Sequence, residues 1–300
     1  SNAGHGVQLG ATAAASSFVV RAGTGAFSAS GAYTASSPSA FSGIHFPLGQ
    51  DINAGTISLN GTTTYNAAND SAAGINSYFN TDTVASLIHA TRAFEVSGDA
   101  IRITGSSASN TGVILGPDVN GTNVSVRASG QNAGISITGT SSWGSSTSGL
   151  WIAGVQLQTA NGPVLLDSGS RPIGLSSSSR TSSYSPVSPS TGGNIRIVAG
   201  GMHSGSTTNA FNVNTSGTLT FEPTGTTFSP AVTFPTGGST TTVGNLIVGS
   251  SALTSDLTIG AAVVSASEVT YRGGSITVNA NVRSDNGAVA LLSTVASKAY

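Results

Sequence analysis

Apolar residues fall on every second position in short bursts along the chain, each closed by a glycine or a small polar residue. The stretch RGGSITVNANVRSDNGAVALLS, residues 272–293, shows the unit twice: Ile276 and Val278, then Val289 and Leu291, flank a polar turn at Asp285-Asn286-Gly287. Alternation of this kind marks strands with one buried face. The same core, a Gly or Asn followed by apolar, any, apolar and a small or polar residue, recurs as GTISLNG (55–61), AIRITG (100–105), NVSVRASG (123–130) and GISITG (134–139). Further copies are GPVLLDSG (162–169), GNIRIVAGG (193–201), GTLTFEPTG (217–225), GNLIVG (244–249) and DLTIG (256–260). With the two halves of 272–293 there are eleven.

Their first apolar positions lie 11 to 44 residues apart. A propeller would repeat more strictly, and a sandwich would show fewer, longer strands with larger inward residues. A parallel β-helix accepts this irregularity, because each coil need only lay its strands about 4.8 Å from those of the coil before and can extrude excess residues as loops. The pattern therefore predicts an all-β parallel β-helix. Ile135, Ile137, Ile195, Ile197, Ile276 and Val278 would point inward and stack between coils, with Ser, Thr, Asn and Arg between them facing water. On this reading 272–293 is two sides of one coil, cornered at Asp285-Asn286-Gly287, with Ile276, Val278, Val289 and Leu291 inward. Antiparallel pairing of its halves would refute it.

Some stretches break the pattern. SSWGSSTSG (141–149) and LSSSSRTSSYSPVSPST (175–191) read as extruded polar loops, and the proline-bearing 223–243 as a connector. The layout expected is a β-helix over 4–222, the connector, and further coils over 244–300. Residues 84–94, VASLIHATRAF, fit helical spacing but alternate well enough to favour a strand. Ser1-Asn2-Ala3 reads as a scar of tag cleavage.

Composition narrows the function. Charged residues are 7% of the chain against about a quarter in ordinary globular proteins. The net charge of −1 supplies no basic field for nucleic acid or an anionic membrane surface. Apolar residues at 38% with so little charge oppose disorder. Strong helix formers are scarce and β-branched residues plentiful. No apolar run reaches the 18 or more residues of a membrane helix, so no membrane insertion is expected. The absence of cysteine removes disulfides and thiolate metal sites, and fits an export route that carries an unfolded chain.

GNLIVGSSALTSDLTIGAAVVSASEVTYRGGSITVNANVRSDNGAVALL, 244–292, resembles the repeats of large bacterial exoproteins similar to filamentous haemagglutinin, in which "tLtIG", "YxGGxItvnaNv" and "GAvxLlst" recur in that order. The resemblance covers the last fifth of the chain and, more loosely, 98–201. It implies a right-handed β-helix, two-partner secretion through an outer-membrane transporter, and a virulence-associated adhesin shaft or binding surface. That surface would be secreted or cell-attached and would meet a glycan or protein on a host or neighbouring cell. The family's secretion domain carries Asn-Pro-Asn near its start; this chain has none, which reads as an internal fragment.

The densest titratable cluster is His89, Arg92, Glu95, Asp99 and Arg102. Carboxylates and basic groups converging on one coil face are what a polysaccharide-cleaving β-helix needs, which makes a carbohydrate-active lyase, hydrolase or tailspike-like depolymerase the alternative function. A solvated face with weak ion pairs accounts for the cluster better, so no catalysis is expected. There is no Ser-His-Asp order, GxSxG, P-loop or HExxH, and His5, His45, His89 and His203 lack metal-ligand spacing. No metal and no cofactor is expected; Asp118 and Asp285 suit backbone turns better than calcium. The threonine runs at 62–64 and 240–242 lack the Thr-x-Thr alternation of an ice-binding array. Trp143 and Tyr184, each in a polar loop, are candidate platforms for a sugar ring or partner surface. Trp151, beside Val155 and Leu157, reads as packing.

Overall fold

The computed structural model describes residues 5–9, 18–34, 41–46, 50–64, 73–79, 86–93, 98–117, 124–144, 147–176, 188–203, 213–235 and 241–295. Within them every strand pairing is parallel and there is no helix. The described strands wind as a parallel β-helix of ten coils with three faces. Face I starts each coil: a seven-stranded sheet from Val7–Gln8 to Gly201–Met202, then a three-stranded one of Val232–Thr233, Leu257–Ile259 and Ile276–Val278. Faces II and III share one 18-stranded sheet. Face II includes Phe18–Arg21, Gln50–Ala54, Ser86–Ala90, Val124–Ala128 and Val155–Thr159; face III includes Ala26–Tyr33, Thr56–Thr63, Asp99–Ser107, Gly134–Ser141 and Val164–Asp167.

The alternation read from the sequence becomes two inward files on face III. One runs Phe27, Ile57, Ile101, Ile135, Val164, Ile195, Leu219, Leu246, Val269, Val289, each in register with the next. The second runs Ala29, Leu59, Ile103, Ile137, Leu166, Ile197, Phe221, Val248, Tyr271, Leu291. From Ile57 to Val269 and from Leu59 to Tyr271 all are buried. Removing each aliphatic side chain from water stabilises the stack by about 1.5–3 kcal/mol. Coil length varies widely around this constant core: register partners are as distant as Ile57 and Ile101, and as near as Leu257 and Ile276.

A glycine file explains how long coils close. Gly31, Gly61, Gly105 and Gly139 stack in register on face III. A Cβ on any of them would lie 2.1–2.2 Å from the carbonyl oxygen of Gly43, Gly74, Gly112 or Gly149 respectively, just before face I of the next coil. There the two backbones touch, and only glycine permits it. Ile75, Val113 and Leu150 lay their side chains over Gly61, Gly105 and Gly139.

The proline-bearing stretch contributes to this same stack. Val213–Glu222 pairs directly with Thr241–Val248, so the sheet is continuous across the intervening residues. Between them, Val232–Thr233 forms a face I strand, and Phe228 and Phe234 are buried against Phe221 with ring centroids 5.0 and 4.9 Å apart. The Tyr271 hydroxyl donates to Phe234 O at 3.2 Å. Residues 86–90 are a strand.

The halves of 272–293 do not pair with each other: Ile276–Val278 pairs with Leu257–Ile259 and Val289–Ser293 with Val269–Gly273, both parallel. Ile276 is buried, and Val278 and Val289 are 46% and 45% exposed. They are in register with buried Ile259 and Val269, so their direction is inward; among the described residues no further coil lies over them.

Candidate functional site

Parallel stacking brings outward residues of successive coils into axial rows about 4.8 Å apart. One row on face II runs Arg21, Asn53, His89, Arg127, Gln158. Beside it, where face II turns into face III, lies an open groove of about 240 Å³ lined by Arg127, Ala128, Ser129, Gln158, Thr159 and Ala160. The Ser129 amide holds the corner by donating to Ala90 O at 2.9 Å, and Thr159 Oγ1 donates to Gly162 O at 2.6 Å. His89 Nε2 and Ser129 Oγ share a hydrogen bond of 2.8 Å.

Burial, and then the neighbouring Arg127 cation, hold the His89 imidazole below the usual histidine range. It is therefore neutral at pH 7, and Arg127 is the formal charge on the groove. Two other arginines of this face have acidic partners: Arg21 pairs with Asp51, and Arg283 with Asp285 at 2.7 Å. Arg127 makes no ion pair among the described residues.

The 89–102 cluster divides between two faces. His89 is on face II, while Asp99 and Arg102 are on face III, where Arg102 Nε meets Asp99 Oδ2 at 3.1 Å. Arg92 is exposed at the turn between them, its amide donating to Gly55 O at 2.8 Å. Glu95 is outside the described residues. Among the described residues no group of three or more metal-ligating side chains converges.

Trp143 follows strand Gly134–Ser141 in a loop that the next coil holds down: Arg171 donates from Nε to Ser141 O and from Nη1 to Gly144 O, each at 2.8 Å. The Trp143 side chain is half-buried. Tyr184 lies outside the described residues, with the rest of 177–187; Leu175–Ser176 ends one strand and Ser188–Thr191 forms another. Trp151 faces out on face I, its ring over Gly174 and edge-on to His203 with centroids 5.0 Å apart.

Arg127, Ser129, Gln158 and Thr159 carry no motif, and reading the sequence alone passes over them. The one signal is the copy NVSVRASG, whose outward Arg and Ser gain neighbours only once the coils are in register. These features define an all-β solenoid with an open polar groove on one face. No family profile, curated protein or solved structure matches the chain.

Proposed function

We propose that this chain is a structural and adhesive segment of a secreted or surface-attached bacterial exoprotein, exported through an outer-membrane transporter. It works as a shaft or binding surface toward a glycan or protein on a host or neighbouring cell. The observation that carries this reading is the parallel stacking of faces II and III in one sheet through ten coils, which suits a stiff rod with long outer faces of low charge. Repetition of outward rows suits contact over an area. The haemagglutinin-like repeat residues at 244–292 support the extracellular setting.

Polysaccharide cleavage by the 89–102 cluster has less support, since His89 and the Asp99–Arg102 pair stand on different faces. The test is an array of glycans and matrix proteins probed with the chain and with W143A and Y184A, beside a turnover assay on a polysaccharide panel. Binding without cleavage is expected, weakened by one or both substitutions. Cleavage of any polysaccharide, or an array with no ligand at all, would overturn the adhesive reading.

A further inference from the structure

We propose that the groove at Arg127 is a subsite for a carboxylate-bearing sugar unit. This deepens the adhesive reading and rests on it only for the expectation that an outer face meets a ligand. Arg127 presents a planar guanidinium on an exposed face with no acidic partner among the described residues, whereas Arg21 and Arg283 of that face are paired. A fork of this kind binds a carboxylate through two parallel hydrogen bonds. With His89 neutral, the groove holds a single positive charge, which suits one carboxylate better than a densely sulfated or phosphorylated polymer.

The rest of the lining suits sugar hydroxyls. Gln158, next to Arg127 in the row, offers both donors and an acceptor, and the Ser129 hydroxyl keeps capacity beyond its bond to His89. The volume of about 240 Å³ falls below the 300–1,000 Å³ of ordinary small-molecule pockets and leaves room for about one ring. The groove is open, and the row continues past it through His89 and Asn53, so a linear chain can run along the axis with about one coil, 4.8 Å, for each unit.

The experiment titrates the whole chain with trigalacturonic acid and with its fully methyl-esterified form, which keeps the sugar and removes the charge, by calorimetry and by amide chemical shifts. The acid is expected to bind at least ten-fold more tightly than the ester, with shifts centred on Arg127, Ser129 and Gln158. R127A should lose ten-fold or more, R127K should fall between, and Q158A should lose several-fold. Both substituted side chains lie on the outer surface, and unchanged circular dichroism verifies the fold. Equal binding of acid and ester, an unaffected R127A, or no response at millimolar acid would overturn the subsite. Array binding by a chain whose groove ignores the acid would sink the subsite and leave the adhesive reading intact. Arg127-dependent binding of the acid by a chain that attaches to no cell surface would do the reverse.

Discussion

Replacing Gly105 by alanine tests the reason given for the glycine file. Its new Cβ would stand 2.1 Å from Gly112 O and 2.6 Å from Val113 Cγ2. Carbon and oxygen ordinarily approach no closer than about 3.3 Å, so the overlap with the carbonyl exceeds about 1 Å. The oxygen has nowhere to go: Gly112 O accepts from Ile75 N at 2.9 Å, and a Cβ on Gly112 would itself be 2.4 Å from Thr140 N, so that side is tight as well. Relief requires parting two backbones, at an overpacking cost of about 1–3 kcal/mol. Weakening the Ile75 bond adds about 1 kcal/mol. The lower entropy of the unfolded alanine chain offsets about 0.4–1 kcal/mol. The net expectation is a loss of about 1–3.5 kcal/mol, centred a little above 2. Two controls separate contact from conformation. Gly98 has φ +73° and nothing within 4 Å of its Cβ position, so G98A should cost about 1–2 kcal/mol from backbone strain alone. Gly144 also has nothing within 4 Å, and its φ is not among the positive values; G144A should stay within about 0.5 kcal/mol of the parent. Urea unfolding followed by circular dichroism, compared through midpoints because a repeat array need not unfold in one step, should rank G105A below G98A below G144A. A G105A midpoint level with that of G144A would refute the backbone-contact argument.

Acid should loosen the first coil, and the loop of Trp143 should depend on one arginine. His5 and His45 stack at 4.0 Å, and Ser42 N donates to His5 Nδ1 at 2.9 Å, a bond that needs this nitrogen unprotonated. Burial, then His45, lowers His5 to about 4, and burial lowers His45, whereas an unfolded histidine titrates near 6.5. The folded state thus binds fewer protons between those values. The stability of the neutral stack is full above about 6.5 and is lost as pH falls toward 4. Protection of the Val7 and Leu9 amides, which donate to Gly43 O and His45 O, should fall between pH 7 and pH 4.5 once intrinsic rates are divided out, and fall less in H5F. Equal protection at pH 7 and pH 4.5 would count against the clasp. R171A removes both donors to the 141–144 loop and should raise amide exchange at Trp143 and Gly144 with little change in the global midpoint; unchanged exchange would show that the loop holds itself.

The strands were legible because alternation is local. Eight of the eleven sequence copies begin at residues of one face III file, whereas Leu257 and Ile276 belong to face I and Val124–Ala128 is a face II strand. Val269, a full member of the file, is not among the copies, because Glu268 stands where most of them carry a glycine or a small residue. The candidate site was legible only in fragments. His89 drew notice for its charged neighbours in sequence, yet its partner in space is Ser129, forty residues on, while Asp99, ten residues on, belongs to another face.

By itself, then, the sequence determined that this chain makes short strands with one apolar edge, turns them at glycines, and leaves a sparsely charged exterior. Those properties follow from side-chain alternation and backbone freedom within a few residues. Tertiary structure alone decided which strands share a coil, that Phe228 and Phe234 belong to the core, and that His89, Arg127 and Gln158 form a row. The physical reason is that coil register is set by hydrogen bonds between strands as many as 44 residues apart, as from Ile57 to Ile101, across loops whose length the stack tolerates freely.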